Sequence, residues 1–232
     1  MGKRSKKYQE ALKIYDKQKK YSLDEAIEIL KKFPKMKFDE SIQVSIKLNL
    51  KKNQRIRGNV TFPHTFGKPP VVVVFAKGEK AEEAKKAGAD YVGDTDLINK
   101  IQKEGWVDFD AAVATPDIMK EVSKLGPILG RRGLMPNPKT GTVTFDIANA
   151  IAEIKKGRYD FRTDRDGVVA LAVAKISMDK EKIIDNIREF YKSVLKIKPT
   201  DVKGEFVKSV AISKDMSPSV RVDPKTILDS RR

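Results

Sequence analysis

The sequence predicts an α+β domain with an antiparallel sheet, interrupted by an inserted α/β domain of the βαβ type. Residues 41–50 alternate strictly between apolar and polar side chains, which is typical of a half-buried antiparallel strand. Residues 71–76 form a continuous, valine-rich apolar run, which is typical of a strand buried on both faces of a parallel sheet. Antiparallel signals return after residue 159, so we expect the two outer segments to form one discontinuous domain.

The first outer segment is predicted to contain two helices and then two strands. A capping box of Ser22 and Glu25 begins the second helix, and Pro34 ends it. Its apolar face consists of Leu23, Ala26, Ile27 and Leu30. The predicted elements are a lysine-rich helix over 5–20, this second helix, the strand over 41–50 and a strand over 56–62 that stops at Pro63.

The middle segment alternates strands with helices, a spacing that indicates βαβ units and a parallel sheet. The predicted elements are strands over 71–76, 89–92 and 109–114 and helices over 80–87, 94–104 and 146–156. A further helix is expected to be capped by Thr115, with Pro116 in its first turn. Residues 125–143 contain four Gly and three Pro, which predicts a long ordered loop.

The last segment returns to antiparallel strands. Strands over 159–163 and 168–174 are predicted to form a hairpin around the turn 164–167, in which Gly167 supplies the positive φ angle. A helix follows whose broad apolar face consists of Ile183, Ile184, Ile187, Phe190, Tyr191 and Val194. A strand over 205–213 completes the segment.

These patterns predict a discontinuous domain of residues 1–66 and 160–232 around an insert of residues 67–159. The paired crossings between the domains are expected to form a hinge. The hinge lies near 64–69 and 157–160, and its candidate residues are Gly67, Lys68 and Gly157.

The charge of the chain lies mainly in the outer segments. The chain has 48 Lys and Arg against 32 Asp and Glu, a formal net charge of +16. Residues 1–66 carry +10 and residues 160–232 carry +4, whereas residues 67–159 carry only +2. An excess of this size indicates a polyanionic partner, namely RNA, DNA or an anionic membrane surface. Solvation by lysine-rich helices is the alternative explanation.

Composition also excludes several kinds of site. The chain has no cysteine and one histidine, which excludes disulfides, Cys-ligated metals, thiol nucleophiles and any site that needs two imidazoles. No targeting signal is visible, and the longest apolar run is too short to cross a bilayer. We therefore expect a soluble protein of a reducing compartment, with no cofactor, no metal and no membrane partner.

No catalytic constellation is found among the candidate residues. The glycines between Gly126 and Gly133 have neither dinucleotide nor Walker spacing, so a structural loop is favoured over a phosphate site in which Arg131, Arg132 and Lys139 would contact an anion. His64 has no obvious carboxylate partner and is interpreted as a hinge or packing residue. Trp106 is interpreted as a packing residue. The pairs Asp94 with Asp96 and Asp108 with Asp110 are interpreted as helix caps and turns rather than metal ligands.

A polar row on the first strand is the strongest candidate for a binding surface. It consists of Ser41, Gln43, Ser45 and Lys47. Lys37 and Phe38 lie beside it, and a cation next to an aromatic ring is suited to contact a phosphate and to stack on a base. The alternative is an ordinary solvated sheet face with Phe38 in the core. The charge distribution favours RNA.

Several long motifs carry a resemblance to a known family. They are KFDES at 37–41, RGNV at 57–60, FPHTFGK at 62–68, GADYVG at 88–93, FDAAVATPD at 109–117, LGRRGLMPNPK at 129–139 and MSPSVRV at 216–222. In this order they resemble the family of large-subunit ribosomal protein one, the protein of the mobile stalk, in its bacterial type. The resemblance covers nearly the whole chain.

The resemblance implies a Rossmann-like insert and a non-enzymatic, RNA-binding split domain. It further implies a monomer outside the ribosome, a cytoplasmic and ribosomal location, direct binding to large-subunit rRNA and movement and release of exit-site tRNA. Repression of the protein's own operon through binding of its mRNA is also implied.

The residues that the family's RNA site implies here are Lys37, Phe38, Ser41, Gln43, Asp215, Met216 and Ser217. Three of them depart from the usual family residues: Gln43 replaces Glu, Asp215 replaces Thr and Ser217 replaces Gly. We hypothesise that Gln43 and Asp215 form a hydrogen-bonded pair. Arg131 replaces Pro in the insert, away from the expected RNA contact.

Two other functions remain possible from the sequence. A nucleotide-binding enzyme would use the βαβ insert and would gain thermal stability from a nucleotide. A general RNA chaperone would bind any polyanion with an affinity set by salt.

Overall fold

The computed structural model describes residues 5–51, 54–200, 202 and 204–229. Its α-helices are α1 (Lys6–Ile14), α2 (Leu23–Lys32), α3 (Glu79–Lys86), α4 (Thr95–Glu104), α5 (Met119–Val122), α6 (Gly126–Arg132), α7 (Ile147–Lys155), α8 (Lys180–Lys196) and α9 (Pro224–Asp229). Its strands are β1 (Ser41–Leu48), β2 (Arg57–Thr61), β3 (Val72–Phe75), β4 (Tyr91–Gly93), β5 (Ala111–Ala114), β6 (Arg158–Arg162), β7 (Val168–Lys175), β8 (Val207–Lys214) and β9 (Val220–Val222). The chain divides into two compact units, one of Met1–Gly67 with Asp160–Arg232 and one of Lys68–Tyr159. The predicted combination of an antiparallel and a parallel sheet is confirmed.

The first unit is built on a four-stranded antiparallel sheet in the order β7-β1-β8-β9. The strand β1 lies between partners from the far end of the chain, with Ser41 opposite Lys175 and Ile42 opposite Lys214. Its predicted core residues Ile42, Val44, Ile46 and Leu48 are buried. The predicted fifth member, Leu50, lies beyond the end of the strand.

Helices cover the buried face of this sheet. The capping box of α2 forms as predicted, because the Ser22 hydroxyl accepts the Glu25 N–H and the Glu25 carboxylate accepts the Ser22 N–H. The predicted apolar faces of α2 and α8 are buried. Both helices contact strands of the sheet. The helix α1 is shorter than predicted and ends at Ile14.

The second unit is built on a parallel sheet in the order β4-β3-β5. Every residue of β3 is buried. Val73 and Phe75 pack with residues of α4 and α5, whereas Val72 and Val74 pack with residues of α3 and α7. The sheet is therefore covered on both faces, as the continuous apolar run predicts. Trp106 packs against the first of these clusters, which confirms its interpretation as a packing residue.

The predicted loop over 125–143 is wrong at its beginning, where α6 forms. Pro127 lies in the first turn of α6, where a missing N–H costs no helical hydrogen bond. Leu125 and Leu129 are fully buried, and this burial outweighs the local preference of the glycines for loops. Gly133 ends α6 with a φ of 74°. The Thr115 side chain makes no capping hydrogen bond, and a 3₁₀ turn begins the segment instead.

The predicted hairpin over 159–174 forms only at its turn. Gly167 has a φ of 73°, and Asp164 Oδ1 accepts the N–H groups of Asp166 and Val168. Beyond a bridge between Thr163 and Val169 the two strands separate. The strand β6 pairs with β2 in a two-stranded sheet, whereas β7 pairs with β1.

Candidate nucleic-acid interface

The face of the antiparallel sheet opposite the helices carries the predicted polar row. Gln43 is exposed, and Ser41, Ser45 and Lys47 are partly exposed. The cross-strand neighbours of Gln43 and Ser45 are small, namely Ala172 and Ala170 on β7 and Ser213 and Ala211 on β8, whereas Lys175 lies opposite Ser41 and Val168 and Ser209 lie opposite Lys47. No acidic residue occupies any of these register positions, so the open face is flat, polar and free of negative charge there.

The turn after β8 is tied to the beginning of β1. Asp215 Oδ2 accepts the Ser41 N–H at 2.7 Å, and the Asp215 N–H donates to the Ser41 carbonyl at 3.1 Å. A hydrogen bond to a carboxylate is stronger than one between neutral groups. The two bonds therefore bring the C-terminal candidate residues to the end of β1 that carries the N-terminal ones.

Met216 projects from this turn into solvent. Its backbone φ is 56° and its side chain is 76% exposed. The left-handed conformation costs a non-glycine residue about 1–2 kcal/mol. The Ser217 hydroxyl lies 3.1 Å from the Lys214 N–H and 3.0 Å from the Lys214 carbonyl, and it closes the turn that holds Met216 outward.

A buried ion pair supports this end of the sheet. Lys214 Nζ lies 2.7 Å from Glu40 Oε2, and both side chains are almost fully buried. The same ammonium donates to the Pro34 carbonyl at 3.0 Å. Lys214 thus fixes both ends of the segment that carries Lys37 and Phe38. Sequence reasoning missed this pair because a lysine at a strand end looks like an exposed charge.

A second lysine organises the hydroxyl at the start of β1. Lys175 Nζ donates to Ser41 Oγ at 2.9 Å and to the Asp39 carbonyl at 3.1 Å. The Asp39 carboxylate in turn accepts the Ser177 hydroxyl at 2.8 Å. These hydrogen bonds hold the Asp39 carboxylate beside Ser177, which follows the end of β7.

The seven sequence-predicted site residues lie at this end of the first unit. Phe38 is 51% exposed, so the alternative in which it belongs to the core is wrong. Lys37, Gln43 and Met216 are exposed, whereas Ser41, Asp215 and Ser217 are partly buried. The hypothesised pair of Gln43 with Asp215 is wrong, because Asp215 accepts the Ser41 amide and Gln43 lies opposite Ser213.

His64 is held in the first unit by Asn186, which is fully buried. The His64 N–H donates to Asn186 Oδ1 at 3.2 Å, and Asn186 Nδ2 donates to the His64 carbonyl at 2.8 Å. His64 Nε2 also lies 3.5 Å from Asp185, a carboxylate partner that the sequence did not reveal. These contacts suit a packing residue. Gly67 and Gly157, which the sequence predicts as hinge residues, have φ angles of 82° and 91°.

The carboxyl edge of the parallel sheet is the position where α/β domains bind nucleotides. In the second unit this edge holds Lys77, whose Nζ lies 2.8 Å from Glu121 Oε1 and 3.6 Å from Asp94 Oδ1. The hydrogen bond to Glu121 raises the pKa of Lys77. Since two carboxylates surround one ammonium, the charge around Lys77 disfavours phosphate binding at this position.

Metal binding and membrane insertion would each require a feature of their own. The described residues contain no group of three or more His, Cys, Asp or Glu side chains placed to hold a metal ion. They also contain no helix long and apolar enough to span a membrane.

Comparison with known proteins places a chain with this split fold and open sheet face in the class of ribosomal proteins. The model of the Ribosomal protein L1p/L10e family matches residues 30–218, and the chain belongs to this family. The predicted resemblance is thereby confirmed. Because this is a family of ribosomal proteins, the expectation of a non-enzymatic protein is confirmed as well.

Bacterial relatives are similar over nearly their whole length. The large ribosomal subunit protein uL1 of Thermosipho melanesiensis is 54% identical over 230 residues, which cover 98% of this chain and 99% of the relative. The protein of the same name from Borrelia duttonii is 56% identical over 223 residues, 96% of this chain and 99% of the relative. That of Borreliella burgdorferi strain B31 is 53% identical over 223 residues, which cover 96% and 98%.

Proposed function

We propose that this chain is a constituent of the large ribosomal subunit and binds large-subunit rRNA directly through the open face of its first unit. The family and the names of its relatives support the ribosomal role. The observation that carries the RNA site is the exposure of Phe38 and Met216 at one end of a polar sheet face. Large apolar side chains held in water next to polar ones are typical of a binding surface.

The residues at this end supply complementary kinds of contact. Phe38 offers an aromatic face for stacking on an RNA base, and Lys37 offers a positive charge to a phosphate. Gln43 supplies both donors and an acceptor for ribose hydroxyl groups. Met216 supplies a flexible apolar contact that adapts to an irregular surface. The supporting bonds from Lys214 and Asp215 hold these groups in place before RNA binds.

Asp215 brings a carboxylate to the proposed RNA site, and an uncompensated carboxylate would repel the phosphates of RNA. Its Oδ2 accepts the Ser41 N–H, and the Lys175 ammonium, which donates to Ser41 Oγ, lies at the same end of the sheet. Positive charge nearby compensates the carboxylate. We propose that Asp215 acts in shaping the turn rather than in contacting phosphates.

The finer roles follow from this binding. We propose that the chain forms the mobile stalk, that it takes part in the movement and release of exit-site tRNA, and that it represses its own operon through an mRNA site that mimics the rRNA. In this scheme the first unit holds the RNA while the insert moves about the segments 64–69 and 157–160. The glycines at 67 and 157 suit a hinge because both adopt positive φ angles.

The proposed site is tested by replacing its two exposed apolar residues. Phe38→Ala and Met216→Ala are each expected to weaken binding of a stalk rRNA fragment by about 1–3 kcal/mol, on the scale of one lost stacking contact. The matched control is Phe145→Ala, which removes a phenylalanine of similar exposure, 55%, from the second unit. Binding is measured by titration of the full chain with the fragment and with a scrambled RNA.

The outcomes separate the proposed function from its alternatives. Unchanged affinity in both Phe38→Ala and Met216→Ala would contradict the proposed site. Equal affinity for the fragment and the scrambled RNA would favour a general RNA chaperone. A nucleotide that raises the melting temperature of the chain would favour the enzyme, although the acidic surroundings of Lys77 argue against it.

A further inference from the structure

Four arginines surround an open groove in the first unit, separate from the site described above. They are Arg55, Arg57, Arg162 and Arg165, and we call the space between them the arginine groove. Its volume is about 360 Å³. All four side chains are exposed. Ligand clefts in proteins begin at about 300 Å³, so the groove is large enough to hold a group such as a phosphate with its ribose.

The strand geometry explains why the arginines converge. Ile56 and Thr163 are buried and face each other, with the Ile56 N–H donating to Thr163 Oγ1 and the Thr163 N–H donating to the Ile56 carbonyl, both at 2.9 Å. Successive residues in an extended chain point to opposite sides. The residues that flank Ile56 and Thr163 therefore point outward together, which places Arg55 and Arg57 beside Arg162.

The positive charge of the groove is largely uncompensated. None of the four arginines forms an ion pair with a carboxylate of the described residues. The acidic residue in the lining is Asp164, whose Oδ1 already accepts two N–H groups of the turn 164–167. Guanidinium groups are suited to phosphate because they donate two parallel hydrogen bonds.

The groove lies at the opposite end of the polar row from Phe38 and Met216. Leu48, the last residue of β1, donates its N–H to the Gly167 carbonyl at 2.9 Å, and Lys47 Nζ donates to the Asp166 carbonyl. Both acceptors belong to the turn that follows Arg165. At about 3.3 Å per residue, the six steps from Ser41 to Lys47 span about 20 Å. The open face thus connects two ends with different chemistry.

We propose that the arginine groove is a second RNA-binding site that takes backbone phosphates, and this inference rests on the proposed RNA-binding function. The Phe38 end recognises bases and riboses, whereas the arginine groove holds the phosphodiester chain. Among the described residues, no aromatic side chain lines the groove, so they offer no surface for base stacking there. Its contribution is therefore independent of RNA sequence and sensitive to salt.

The test compares two pairs of charge-removing substitutions in the full chain. Arg57→Gln with Arg162→Gln removes two charges from the groove. The control, Lys192→Gln with Lys196→Gln, removes two exposed charges from α8, a helix that contacts the sheet strand β7. Binding of the stalk rRNA fragment and of a scrambled RNA is measured at several salt concentrations. Each lost phosphate contact reduces the slope of log affinity against log salt by about 1.

The groove variant is expected to lose about two units of salt slope on either RNA, while the control keeps the wild-type slope. Arg57→Lys with Arg162→Lys should keep most of the slope, because the charges remain. An unchanged slope in the Gln variant, or an equal loss in the control, overturns the groove. The proposed function is judged separately, by preference for the stalk fragment over the scrambled RNA, so the two failures are distinguishable.

Discussion

The two sheets of this chain differ in what they leave exposed to water. The parallel sheet of the second unit has helices on both faces, and every residue of its central strand is buried. The antiparallel sheet of the first unit is covered on one face, and its central strand presents Ser41, Gln43, Ser45 and Lys47 on the other. The charge follows the same division, since the outer segments carry +14 and the middle segment +2.

This difference determines which of the two sheets can present a surface to a partner. A sheet that is buried on both faces can offer only its edges and loops to a partner. A sheet covered on one face can offer a whole surface, provided that its strand ends are held in place. In the first unit they are held by Lys214 at one end and by the turn 164–167 at the other.

The largest predicted effect tests how strongly the open face depends on its buried ion pair. Lys214→Met leaves Glu40 buried without its partner, which is expected to lower the free energy of unfolding of the first unit by about 3–5 kcal/mol. Urea unfolding followed by circular dichroism measures the loss. The only tryptophan, Trp106, lies in the second unit, so its fluorescence transition should move little.

A double variant serves as the control for this prediction. Lys214→Met with Glu40→Leu replaces both charges by apolar groups and is expected to recover most of the stability. If the single and double variants were equally unstable, lost packing rather than an unpaired carboxylate would be the cause.

An intermediate effect compares the covered sheet with the open one directly. Val74→Ala in β3 is expected to cost about 2 kcal/mol, because a fully buried strand leaves a cavity when a side chain is shortened. Ser45→Ala on the open face is expected to change stability by less than about 0.5 kcal/mol. Trp106 fluorescence reports the first variant and circular dichroism the second. A large loss of stability in Ser45→Ala would mean that Ser45 is packed against other groups in solution rather than exposed on an open face.

An effect smaller than that of Val74→Ala concerns the capping box that begins α2, one of the helices behind the open sheet. Ser22→Ala is expected to lower the free energy of unfolding by about 1 kcal/mol. The pKa of the Glu25 carboxyl is lowered mainly by the hydrogen bond from the Ser22 N–H, and to a smaller extent by hydrogen bonding with the Ser22 side chain. A carboxylate whose pKa is lowered by folding stabilises the folded state at pH values above its unfolded-state pKa. This contribution is lost as the pH falls through the folded-state pKa.

This sign gives the capping box a pH test. The stability difference between the wild-type chain and Glu25→Gln is expected to be largest above about pH 4.3, the ordinary pKa of glutamate, and to shrink in more acidic solution. Urea unfolding at a series of pH values measures it. A difference that stays constant with pH would exclude the carboxylate charge as its source.

The sequence predicted the sheets well because burial imposes a period on them. Alternation in residues 41–50 and continuity in residues 71–76 are direct consequences of one and two buried faces. It failed where distant contacts override local preference. The helix α6 forms over Gly126 and Gly130 because Leu125 and Leu129 have a core to enter, and nothing nearby in sequence encodes that core.

The residues of the candidate site were proposed from the sequence, whereas the contacts that support them were not predicted. Exposure of Phe38 depends on packing, so the sequence left it undecided until the structure showed it to be half exposed. The partners Lys214 and Glu40 are 174 positions apart, and no local pattern indicates that they meet. The arginine groove likewise joins residues more than a hundred positions apart through the pairing of Ile56 with Thr163.

Because β1 lies in the interior of its sheet, its pairing during synthesis is delayed until later parts of the chain have been made. Both partners of β1 come from the last third of the sequence, since Ser41 pairs with Lys175 and Ile42 with Lys214. Ribosomes add about 5–20 residues per second, so β1 waits on the order of ten to thirty seconds for β8 to be synthesised. The strands of the second unit are all made within that interval. Until β7 is complete at Lys175, both edges of β1 lack their native partners, and the edge that pairs with β8 stays unpaired until Lys214 is added.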